Sequence, residues 1–141
     1  MGEERIGVAF DVIAELDRRR LIDQRRDNYS TYCRFLAMSS ELAPIKKGLD
    51  ASDVPWGLPV LLRRRAERDH LLRGRGVPLF TFGEVLHPLL FEKRVAEPRL
   101  IESATHLSDT VLALSVHQQL SVAAITQYSK IINELTATFS R

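Results

Sequence analysis

Apolar positions along this chain shift between helical and strand spacing. Ile6, Phe10, Ile13 and Leu16 recur every three or four residues, with Val8, Ala9 and Val12 widening the stripe. That pattern predicts an amphipathic helix over 3–18. A second helix is predicted from near Leu21, with Tyr29, Tyr32, Phe35 and Leu36 on one face, fading at Ser39-Ser40. Pro44 stops any continuation, because the residue before a proline is biased out of the helical region. Asp50-Ala51-Ser52-Asp53 has turn chemistry.

Strand-length segments follow. Trp56-Gly57-Leu58-Pro59-Val60-Leu61-Leu62 is a short apolar run. Pro59 lacks an N–H, so this strand is expected at a sheet edge, or with its proline turned outward. Trp56, flanked by Val54, Leu58 and Val60, is expected to pack against the core. Residues 65–75 read as a helix that Gly74 or Gly76 can end in the left-handed conformation. Residues 77–82 form the next strand, 83–97 are irregular, and Pro98 suits the first turn of a short helix. Thr110 to Val116 gives a third strand. Ser121 is a good N-cap for a last helix carrying Val122, Ile125, Tyr128, Ile131, Ile132 and Leu135 toward Phe139.

These elements define one expected domain over 1–141, with a helical N-terminal segment at 1–40 and an α+β core at 54–139. The expected fold is α+β: a small antiparallel or mixed sheet of about three strands packed with helices, with long helices at both ends. Composition agrees, at 45% hydrophobic and 27% charged residues. Twenty Lys and Arg against 18 Asp and Glu leave a net charge of +2, too balanced to argue for nucleic acid by itself. The arginines are clustered, at Arg18-Arg19-Arg20, Arg25-Arg26 and from Arg63 to Arg75. Glu67 and Asp69 interleave the last cluster and predict a solvated helix face with local ion pairs. No signal peptide, myristoylation pattern or membrane-length apolar run is present, so a cytoplasmic location is expected.

Candidate chemistry is sparse. The single cysteine, Cys33, excludes an internal disulfide, and its neighbours Tyr32, Phe35 and Leu36 suggest a buried structural thiol. His70, His87, His106 and His117 lack metal-ligand spacing. None of Lys46, Lys47, Lys93 and Lys130 lies by a glycine-rich phosphate cradle, and all four are expected on the surface.

The ordered series from Trp56 to Leu135, with a helix leading into it, resembles the C-terminal part of the DegT/DnrJ/StrS family of pyridoxal-phosphate-dependent aminotransferases, a resemblance that covers about residues 20–139. The residues that carry it are Arg25-Arg26-Asp27-Asn28-Tyr29, then Leu58-Pro59-Val60-Leu61-Leu62 running into Arg63-Arg64-Arg65. Leu72-Arg73-Gly74-Arg75-Gly76-Val77 follows, and then Leu112-Ala113-Leu114-Ser115-Val116-His117-Gln118 before Leu120-Ser121. Two departures stand out. Phe80-Thr81-Phe82-Gly83 replaces an aromatic loop often written Arg-x-His-Tyr, and Ser115 replaces a proline before the histidine.

The resemblance implies a fold-type I small domain from an enzyme that aminates keto-sugar nucleotides in amino-sugar and polysaccharide biosynthesis. It places the cofactor lysine in a large domain, so no catalytic or cofactor-binding residue is assigned to this chain, and pyridoxal phosphate belongs to the intact family. Phe82 and His87 are the implied rim of a substrate cleft. The chain could be a gene remnant, a split-enzyme fragment or a partner of a separate large-domain subunit. A non-catalytic dimerisation or docking module that keeps the fold is the alternative. Association is expected in either case, with itself or with a large-domain subunit. Candidate faces are Val8, Phe10 and Val12, Phe80-Thr81-Phe82, and Leu89-Leu90-Phe91.

Overall fold

The computed structural model describes residues 17–37, 40–83 and 97–139. The helix expected over 3–18, and with it Val8, Phe10 and Val12, lies outside the described residues apart from its last two positions. His87, Lys93 and Leu89-Leu90-Phe91 also lie outside them. The described elements run α1 (Arg18–Phe35), β1 (Leu42–Pro44), β2 (Gly57–Leu62), α2 (Arg65–Gly74), β3 (Leu79–Thr81), α3 (Pro98–Thr110), β4 (Val111–Ser115) and α4 (Val122–Phe139). The fold is α+β, and its sheet is antiparallel throughout, in the order β1-β2-β4-β3.

Local chemistry accounts for the helix ends. Asp17 caps α1 by accepting from the Arg20 N–H at 3.0 Å. Ser121 caps α4 as expected, its Oγ accepting from the Ala124 N–H at 3.1 Å. α2 closes in a Schellman motif. Gly76, at φ 77°, donates to the Arg73 carbonyl at 2.9 Å, and Val77 donates to the Leu72 carbonyl at 3.1 Å. Leu72 and Val77 are both buried, which supplies the apolar contact that usually accompanies this cap.

The core lies on one face of the sheet. Leu58, Val60 and Leu62 of β2 and Leu112 and Leu114 of β4 are fully buried there. They pack with Tyr29 and Tyr32 of α1, Leu72 of α2, and Ile125 and Ile132 of α4. Each such side chain contributes roughly 1.5–3 kcal/mol on burial, so this layer dominates the stability of the domain.

Of the two placements expected for β2, the sheet edge is not the one it takes, and Pro59 stands instead at an outward position of the strand. β2 is an interior strand, paired to β1 through Leu42↔Leu62 and to β4 through Leu58↔Leu114. Pro59 is tolerated because it stands where the β1 ladder runs out. The Ile45 N–H donates to the Pro59 carbonyl at 3.0 Å, and the return bond that proline cannot make would be the first beyond the ladder. β1 itself is an addition to the three strands that the pattern gave. It is held at its other end by the Arg63 N–H donating to the Glu41 carbonyl at 2.9 Å.

Candidate docking face

The strand residues of opposite parity to the core build a second surface. In β2 these are Gly57, Pro59 and Leu61. Cross-strand partners share a face, so Pro59, Ala113 and Phe80 form one row across β2, β4 and β3. Gly57 pairs with Ser115, and Leu61 lies between Ala43 and Val111. A solvated sheet face normally carries polar residues at such positions. Here Ser115 is the one polar residue among those just named.

Trp56 lies on this side too, which corrects its expected place in the core. It is 55% exposed. The parity of the strand would send it inward with Leu58 and Val60, but the chain bends at Trp56 and the alternation starts only at Gly57. Its indole packs in a tilted arrangement against Phe80, at 4.8 Å between ring centroids, and against Phe82, at 5.7 Å. Small residues keep the strands close here: a Cβ on Gly57 would meet the Ala113 Cβ at 3.1 Å. Phe80 and Phe82 remain 40% and 47% exposed even with the indole against them. Leu61 continues the apolar surface toward β1, where Ala43, Leu61, Arg63, His106 and Thr110 line a shallow pocket of about 210 Å³.

The residues that carried the family resemblance prove to be structural joints. Asn28, fully buried, donates from Nδ2 to the carbonyls of His117 at 3.0 Å and Leu120 at 3.2 Å, while its Oδ1 accepts from Gln24. Arg25 donates to Gln118 Oε1 at 2.9 Å. Arg26 donates to the Asp53 carbonyl at 2.6 Å and the Asp50 carbonyl at 2.9 Å, which fixes the predicted turn. Together these contacts staple α1 to the loop after β4 and to the loop before β2.

The arginine cluster is only partly a solvated face. Arg64 and Glu67 pair at the surface as expected. Arg65, however, is buried, and its guanidinium donates to the Ser108 carbonyl from Nε at 3.1 Å and from Nη2 at 2.6 Å, tying α2 to the end of α3. Arg68 bonds the buried Glu41 and lies over the Phe139 ring at 4.3 Å. An arginine that joins a buried carboxylate to an aromatic face is part of the packing rather than a free phosphate ligand.

The described lysines do not suit Schiff-base chemistry, which needs an amine whose pKa is depressed. Lys46 is exposed and bonds Asp50 and Asp53 at 2.7 Å each, and these hydrogen bonds push its pKa upward, the opposite direction. Lys47 and Lys130 are exposed. His70, His106 and His117 lie on separate elements, and among the described residues no cluster could hold a metal ion. Cys33 is half-buried beside the core, and burial raises its thiol pKa, which suppresses the reactive thiolate. Among the described residues no helix is long and apolar enough to cross a membrane.

No family model matches the sequence, and no curated protein matches it. The fold itself is that of an aminotransferase domain. The chain is similar to the aminotransferase TlmJ from Streptoalloteichus hindustanus, with a TM-score of 0.65 and 21% identity over 87% of this chain and 34% of that one. It is likewise similar to DesV of S. venezuelae, solved with a ketimine intermediate, at TM-score 0.66 and 21% identity over 82% of this chain and 32% of that one. The sugar aminotransferase CalS13 from Micromonospora echinospora gives TM-score 0.60 and 19% identity over 81% of this chain and 30% of that one. The chain therefore spans about a third of the length of each of these three.

Proposed function

We propose that this chain serves as the small domain of a DegT/DnrJ/StrS-type aminotransferase acting on a keto-sugar nucleotide, in amino-sugar or polysaccharide biosynthesis. Pyridoxal phosphate, which carries the electrons of amino transfer in such enzymes, would be held by polypeptide outside these 141 residues. The observation that carries the reading is the match of 81–87% of the chain to about one third of three aminotransferases, two of them CalS13 and DesV. The setting of Lys46 agrees with it, since an amine held by two carboxylates keeps its proton. In this reading the chain works by association, with itself or with a separate large-domain subunit, and Phe82 borders the surface through which it does so. The second reading, a non-catalytic module that retains the fold, rests on the exposed rings of Trp56, Phe80 and Phe82.

Incubation with pyridoxal phosphate, borohydride reduction and peptide mapping tests the proposal. The expected result is no stoichiometric label on Lys46, Lys47, Lys93 or Lys130. Full labelling of one of them, with an absorbance band that reduction abolishes, contradicts it. Added large-domain aminotransferase polypeptide should bind the chain and gain amino-transfer activity toward a keto-sugar nucleotide; binding without such a gain favours the non-catalytic module.

A further inference from the structure

We propose that the outer face of the sheet is where two copies of this chain meet, sheet against sheet, with Trp56 at the centre of the contact. The inference narrows the association just described to one face and one partner, and it does not depend on the chain's having an aminotransferase role.

Three features of the face point to a second copy. Its interior is uncharged: Gly57, Pro59, Leu61, Phe80, Ala113 and Ser115 occupy the outward rows of β2, β3 and β4. A two-fold contact brings the same patch from both partners together, and a patch without charge meets its own image with no unpaired ion to desolvate. The middle of the face carries small residues, Gly57, Pro59 and Ala113, with Ala113 and Ser115 already buried and the rings of Trp56, Phe80 and Phe82 exposed beside them. Two such antiparallel sheets can stack about 10 Å apart, as the layers of a sandwich do.

Area is the third feature. Trp56, Phe80, Phe82 and Leu61 are 55%, 40%, 47% and 36% exposed. With aromatic side chains burying about 150–250 Å² each, these four leave roughly 350 Å² of apolar surface open. A standard interface buries about 800 Å² per partner, a little over half of it non-polar, or about 450 Å². The patch therefore supplies most of the apolar centre of such a contact. Tryptophan is the residue type most enriched at the energetic centre of interfaces, and Trp56 is the most exposed large side chain of this patch.

The test uses the whole 141-residue chain, whose monomer is 16.0 kDa. Sedimentation velocity from about 1 to about 100 µM should show a species of twice the monomer mass growing with concentration. Trp56 is the only tryptophan, so its emission should move to shorter wavelength over the same range. Trp56→Glu should weaken dimerisation at least about tenfold while leaving far-UV circular dichroism unchanged. Val122→Glu, an exposed position of α4 on the helical side of the sheet, should leave the dimer intact. Should Trp56→Glu fail to fold, Leu61→Glu and the wild-type emission shift give the same reading. A monomer throughout the range overturns the proposal, as does a dimer that survives both face variants. A chain that stays monomeric alone and pairs only with a large-domain aminotransferase overturns it too, while leaving the aminotransferase reading standing.

Discussion

The two faces of one sheet make the instructive contrast in this molecule. On the helical side, Leu58, Val60, Leu62, Leu112 and Leu114 have no exposed surface, because α1, α2 and α4 cover them. On the other side, Pro59 and Leu61 of β2 and Ala113 of β4 stand between them and are also apolar; Ala113 is buried, but Leu61, and Phe80 of the neighbouring β3, stay more than a third exposed. Solvated sheet faces in antiparallel proteins are ordinarily polar. The sequence of β2, Gly-Leu-Pro-Val-Leu-Leu, is thus written for burial on both sides, and the described residues bury it on one.

The most severe break of that contrast is Leu114→Ala. Truncating a fully buried leucine in the middle of the core costs about 3–5 kcal/mol, and urea denaturation should show the midpoint falling accordingly. Trp56→Ala removes a larger side chain, but from the outer face. Measured where the chain is monomeric, its cost should be about 1.5–2.5 kcal/mol, from the part of its surface already buried against Phe80 and Phe82, so that the larger deletion does less harm. A cost near that of Leu114→Ala would mean that Trp56 acts as core after all.

The smallest expected effect belongs to Tyr32→Phe on the helical side. Tyr32 is fully buried, and its hydroxyl oxygen has no hydrogen-bond partner among the described residues. Burial raises its pKa, followed by the influence of Tyr128, so it stays protonated at ordinary pH. Removing that hydroxyl loses no hydrogen bond and relieves a desolvated polar group, so stability should stay within about 0.5 kcal/mol or rise. A loss above about 1 kcal/mol would reveal a bond to the hydroxyl.

Much of the helical side was legible in the sequence, because its signals are local. Ser121 capped the helix it was expected to cap, and Gly76 ended α2 by a rule that spans six residues. The outer side depended on events that local pattern does not record. β1 has three residues and no alternation to display, and it exists through pairing with Leu62, twenty positions from Leu42. β2 is interior because β1 adds to it, and Pro59 survives there because the ladder stops beside it. Trp56 was misread because its parity matches Leu58 and Val60, while a backbone bend resets the alternation one residue later. Arg65 sits in a run of charged residues, and only the fold brings the Ser108 carbonyl to its guanidinium, 43 positions away. One signal was available and points to the outer face: both parities of β2 are apolar, the mark of a strand buried on both sides.

The central claim, that this second face is covered when the protein works, is tested most directly by hydroxyl-radical footprinting of the full chain. Oxidation of Trp56, Phe80 and Phe82 would be compared by mass spectrometry at dilute and concentrated protein. The account predicts that all three are readily oxidised when dilute and become protected together as concentration rises, while Phe35 of α1 and Val122 of α4, exposed on the helical side, do not change. Equal oxidation of the three rings at both concentrations would contradict it.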